Sequence, residues 1–80
     1  MSTEISRLRW LCRRGMKELD VLLSRYLEER FPDASEAEQQ SFRDLLDMQD
    51  PTIFAMLLGR EESSDAGISS LVGELTRMRG

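Results

Sequence analysis

Histidine is absent from this 80-residue chain, and cysteine occurs once, at Cys12. Without histidine the chain lacks the side chain that most often serves as general acid, general base or activator of a nucleophile, which points away from an enzyme and toward a binding protein. A lone cysteine excludes an internal disulfide, and the two scarcities together leave no transition-metal site of the usual ligand spacing. Long hydrophobic runs are missing too. The longest, residues 53–58, has six residues, far short of the ~20 that cross a bilayer as a helix. Arg13-Arg14 does not read as a twin-arginine export signal, because Lys17, Glu18 and Asp20 stand where an uncharged apolar region would have to follow. Glu4 and the lack of a serine-rich extension speak against a mitochondrial presequence. The expectation is a cytoplasmic protein with no membrane insertion.

What remains is one small domain, residues 1–80, near the lower limit for an unaided core, since a chain of this size buries only about 60% of its unfolded surface. With neither disulfide nor metal, the fold must rest on helix packing. Period-two alternation is not sustained anywhere, β-branched residues are few, and apolar residues recur at helical spacing almost throughout. The fold class expected is all-α, a compact single-domain bundle of five short helices.

Charge is unevenly placed. Residues 1–17 carry five cations, Arg7, Arg9, Arg13, Arg14 and Lys17, against Glu4, a net of +4, while residues 18–80 carry six basic against fourteen acidic side chains, a net of −8. A basic patch can attract phosphate, nucleotide or an acidic protein face, or can simply be a solvated helix face; the remaining −8 argues against general nucleic-acid binding, where neutralising backbone phosphates dominates affinity.

The spacing predicts a first helix over residues 4–14, with Ile5, Leu8, Leu11 and Cys12 on its apolar side, stopped by Gly15, which takes positive φ without a Cβ clash. Leu19, Leu22, Leu23, Tyr26 and Leu27 form a continuous stripe in a second helix over 16–30. Phe31-Pro32-Asp33 ends it, because proline disfavours helical geometry in the residue before it. Ser35-Glu-Ala-Glu38 has the spacing of a capping box and opens a third helix over 36–48, with Phe42, Leu45 and Leu46 buried. Asp50 is expected to cap a short fourth helix over 51–58, with Pro51 at its first position, Ile53, Phe54, Leu57 and Leu58 apolar, and Gly59 as its stop. A polar loop over 60–67 leads to a last helix carrying Ile68, Leu71, Val72, Leu75 and Met78, fraying toward Gly80. Leu23 and Phe54 are expected in the core.

Several residues need their own weighing. Trp10 suits either a binding anchor or packing. Cys12, on the apolar side of its helix, reads as a small buried hydrophobe. Glu18 can meet a partner's cation, pair with Arg14 four residues earlier, or favour the N-terminus of the second helix.

Between Trp10 and Asp20 the sequence resembles the SdhE family of small assembly factors. The signature R-G-x-x-E stands here as Arg14-Gly15-Met16-Lys17-Glu18, within Trp10, Cys12-Arg13-Arg14-Gly15-Met16 and Glu18-Leu19-Asp20, followed by Asp50-Pro51 and Phe54. The resemblance implies a five-helix factor that binds the flavoprotein subunit of succinate dehydrogenase, and in some bacteria of fumarate reductase, and promotes its covalent attachment to FAD. Arg14, Gly15 and Glu18 would face that client, with Asp20 and Trp10 as neighbours. The bond joins the client's own histidine to its own flavin, so the factor need supply no nucleophile and act as no enzyme; with no glycine-rich phosphate loop on a strand and helix, it is expected to bind no FAD stably. A monomer is expected when free. The reading requires the corner after the first helix to present both the Arg14 guanidinium and the Glu18 carboxylate outward. The alternative is a small helical DNA-binding regulator or antitoxin-like interaction protein that uses the face from Arg7 to Lys17.

Overall fold

In the structure, a computed structural model that describes residues 3–79, five α-helices and one 3₁₀ turn occur among the described residues, with no strand. They are α1 (Thr3–Leu11), α2 (Lys17–Glu29), the turn Phe31–Asp33, α3 (Glu36–Leu46), α4 (Asp50–Leu57) and α5 (Ala66–Arg79). The all-α reading therefore holds. The fraying expected at Gly80 lies outside the described residues. No helix among those described is long and apolar enough to cross a membrane.

The α2 stripe packs as its spacing requires, with Leu19, Leu22, Leu23, Tyr26 and Leu27 all buried. Tyr26 stacks on Phe42 of α3 at 4.8 Å between ring centroids, and Phe31 from the 3₁₀ turn tilts against Phe42 at 5.6 Å. Offset pairs of this kind add to the area they bury. Helix α5 packs against α2, α3 and α4, while α1 lies across α2 and α3. One continuous cluster of buried side chains results, and Cys12 belongs to it.

Most helix ends follow local chemistry. The Ser35 hydroxyl accepts from the Glu38 amide at 3.1 Å, and the Ser35 amide donates to the Glu38 carboxylate at 2.8 Å, so the capping box forms in full. At the end of α4 the Gly59 amide donates to Met56 O and the Arg60 amide to Ala55 O, with Gly59 at φ 78°. This is the left-handed closure that leaves few residues but glycine unstrained. Helix α5 begins two residues before Ile68 because the Asp65 carboxylate accepts from the Ile68 amide at 3.1 Å, a cap within the segment expected to be loop.

Several expectations need correction. Helix α1 ends at Leu11, three residues short of Arg14, and α3 ends at Leu46, two short of Met48. Asp50 is not the cap of α4: Gln49 occupies that position without a side-chain cap bond, and Asp50 is already helical. On α4 the buried residues are Ile53, Met56 and Leu57, while Phe54 is half-buried and Leu58 exposed. At about 100° per residue, Phe54 and Leu58 sit roughly 100° and 140° round from Ile53, beyond the arc that Met56 and Leu57 complete.

Replacing Leu23, which is fully buried, by alanine is expected to lower the unfolding free energy by about 2–5 kcal/mol in a urea titration. Phe54→Ala is expected to cost about 1 kcal/mol because only part of its ring leaves water. An unchanged midpoint for Leu23→Ala removes that residue from the core.

Candidate partner-binding corner

Residues 12–16 join α1 to α2, and the reason they are not helical lies in two carboxylates from elsewhere. In a continuing helix the Arg14 amide would donate to the carbonyl of Trp10. It donates instead to the Asp20 carboxylate at 2.6 Å. The Arg14 side chain then turns back into the protein, where its Nε meets the Asp50 carboxylate at 2.6 Å. Its Nη1 donates to Leu11 O at 3.1 Å and Leu46 O at 2.7 Å, and Nη2 donates to Met48 O. All three guanidinium nitrogens are engaged. The last carbonyls of a helix lack intrahelical partners and carry the negative end of its dipole, so Leu11 O and Leu46 O are natural acceptors for a cation.

This geometry overturns the outward orientation expected of Arg14. Its side chain is only 12% exposed, and the fork of donors that suits a carboxylate is already satisfied within the chain. Nor does Arg14 pair with Glu18. The Glu18 carboxylate is 57% exposed and lies 3.2 Å from Arg79 near the end of α5.

Gly15 follows at φ 86° and is exposed, and a Cβ placed there would meet nothing within 4 Å. The protein's own packing therefore does not demand glycine; the backbone angle does. The open space in front of it is available to another molecule. Trp10 is 70% exposed, so the packing alternative is excluded for it. Asp20 is half-buried and spent on the Arg14 amide, which makes it a support of the corner.

Sequence reasoning passed over Val21. It is 58% exposed and lines two shallow depressions, one with Gly15, Ser24 and Arg25, the other with Glu18, Leu22 and Met78. The available signal was an apolar residue on α2 that lies off the buried stripe. A further depression runs from Trp10 and Arg13 to Gln49 and Pro51. The corner thus presents a glycine pivot, one carboxylate and two apolar side chains to solvent, which is the make-up of a protein-docking surface.

The sequence over residues 6–79 matches a family model described as flavinator of succinate dehydrogenase. The chain belongs to this family. A protein of Vibrio vulnificus (strain YJ016), named FAD assembly factor SdhE, is 43% identical over 72 residues, covering 90% of this chain and 84% of that one. Relatives of the same name in Xylella fastidiosa (strain 9a5c) and Coxiella burnetii (strain RSA 493 / Nine Mile phase I) are 45% and 36% identical, covering 86% and 90% of this chain and 71% and 88% of theirs. Within this flavinator family member, the signature residues divide: Arg14 faces inward, Gly15 and Glu18 outward.

Cys12 lies just behind the corner, fully buried. Burial pushes its thiol up to about 11, against the opposing pull of the Arg14 cation. Thiolate is the reactive form, so thiol reagents near neutral pH are expected to label Cys12 only at the rate of unfolding, and rapid labelling of the folded protein would contradict its placement. Gly15→Ala is expected to lower stability by about 1–2 kcal/mol through its positive φ alone. Thermal melts check this, and a much larger loss would reveal a steric conflict the structure lacks.

Proposed function

We propose that this protein binds the flavoprotein subunit of succinate dehydrogenase and promotes its covalent attachment to FAD. Membership of the flavinator family carries the reading, and the exposed corner at Gly15 and Glu18 is where the family's signature is open to another protein. The helper acts through placement. Both reacting groups, a histidine and the flavin, belong to the client, so holding a mobile client domain in the reactive arrangement raises the rate by orientation without a base on the helper. The thiol of Cys12 is buried and kept neutral, so it is not offered as a nucleophile.

The proposed contacts follow from the surface. Gly15 lets a client backbone approach closely, and Glu18 offers its carboxylate to a client cation in exchange for Arg79. Trp10 and Val21 supply apolar area on either flank. Asp20 and Arg14 act from behind by holding the corner's backbone. FAD itself is proposed to stay with the client, because the chain has no glycine-rich phosphate loop between a strand and a helix. We include the fumarate reductase flavoprotein as a second client on the resemblance alone, and propose that the factor is a monomer when free.

The test is flavinylation in cells that lack this protein, complemented with wild type, Gly15→Arg or Glu18→Ala and read as in-gel flavin fluorescence of the client. Wild type is expected to restore the signal, Gly15→Arg to abolish it and Glu18→Ala to reduce it. Glu18→Ala should melt close to wild type, since exposed ion pairs contribute about 0–1 kcal/mol. Equal fluorescence in every strain, including the one without the protein, would rule the function out.

A further inference from the structure

Asp50 lies 36 residues from Arg14 in sequence, at the start of α4, yet its carboxylate is the anion that meets the Arg14 guanidinium. Gln49 fills the N-cap site of α4 without a side-chain cap bond, so the local role left to Asp50, in the first turn, is the favourable interaction of its charge with the helix dipole. The other acceptors around Arg14 are neutral backbone carbonyls of Leu11, Leu46 and Met48. A charged acceptor strengthens a hydrogen bond roughly twofold over a neutral one. Asp50 is therefore the one charged acceptor among the groups that hold the part-buried Arg14 guanidinium.

We infer that Asp50 is a positioning residue for the docking corner: by fixing the Arg14 guanidinium it sets the direction in which Gly15 and Glu18 meet the client. Arg14 is adjacent to the pivot, so the segment between α1 and α2 is tied at two points, its amide on Asp20 and its side chain on Asp50. Gly15, with no Cβ, leaves the backbone next to Arg14 free to rotate more than any other residue type would. Tied on one side only, the corner would sample many orientations, and a client would bind the competent fraction with correspondingly weaker apparent affinity. The inference rests on the proposed function for the identity of the client, though the ordering of the corner is measurable without it.

The experiment compares Asp50→Ala and Asp50→Asn with Asp47→Ala, an exposed neighbour, and with Leu75→Val in the buried face of α5 as a variant of lowered stability remote from the corner. Hydrogen exchange is followed in peptides covering residues 12–18 and α5, and affinity is measured for the succinate dehydrogenase flavoprotein subunit purified without FAD. Asp50→Ala is expected to speed corner exchange while α5 stays protected, and to weaken binding by about tenfold, a size common for coupling between two sites. Asp50→Asn should fall between Asp50→Ala and wild type. Asp47→Ala should match wild type, and Leu75→Val should retain affinity at temperatures well below its melt.

Wild-type affinity in Asp50→Ala overturns the inference. So does an equal loss in Leu75→Val at the same distance from its melting temperature, which would make the effect one of general stability. Failure of both Asp50 variants to fold while Leu75→Val folds would assign the pair to the fold alone, and overturns it too. If the wild-type protein does not bind this client, the proposed function fails instead, and the exchange data alone decide whether Asp50 orders the corner.

Discussion

The Arg14 guanidinium is where three separate pieces of backbone are brought to terms with one another. The end of α1, the end of α3 and the start of α4 all converge on it through Leu11 O, Leu46 O, Met48 O and the Asp50 carboxylate. Helix ends leave carbonyls unpaired, and two such ends meeting in a small protein would carry a desolvation cost with no internal remedy. A planar fork of donors meets that cost at several points with one side chain. Lysine, with a single ammonium at the end of its stem, could not reach the same set of acceptors. The carboxylate of Asp50 balances the charge that the fork brings inside. A part-buried pair of this kind contributes less to net stability than to uniqueness of arrangement, because desolvation offsets much of its attraction.

That arrangement divides labour within the family signature. The arginine works inward, the glycine permits the bend, and the glutamate faces solvent at the start of α2. It also changes the meaning of the basic stretch from Arg7 to Lys17. Arg14 is withdrawn from solvent and the exposed Arg9 lies 3.9 Å from Glu28, leaving Arg7, Arg13 and Lys17 as the exposed cations without such a neighbour in this stretch. The field near the corner is weaker than the net charge of that segment suggests, and apolar area from Trp10 and Val21 becomes correspondingly more important for recognition.

Much of the scaffold was legible in sequence because it is governed by local rules. The α2 stripe has an unbroken helical period, Ser35 and Glu38 satisfy each other three residues apart, and Gly59 closes a helix in the only way its backbone angle favours. Helix α4 was harder. Its six consecutive apolar residues, 53–58, cover nearly every side, so periodicity could not separate buried Met56 from half-buried Phe54. Asp65 hid as a cap among other polar residues. The orientation of Arg14 was not legible at all, since it is decided by acceptors more than thirty residues away and by Asp20 capturing an amide that helix propensity would have assigned to Trp10. Reading Arg14 and Glu18 as both outward followed from the family signature, and pairing them with each other followed from their spacing of four. That spacing only applies where the helix is continuous, and here it is not.

One consequence concerns what could imitate the corner. Its sequence is a short contiguous stretch, but its shape is imposed by residues of α3 and α4 that are distant along the chain. A free peptide spanning Trp10 to Asp20 would keep the signature and lose its moulds. It would bear the full entropy of adopting the bend on binding, so mimicry of this surface calls for a scaffold that reproduces the bend and its supports, with the sequence itself as the lesser requirement.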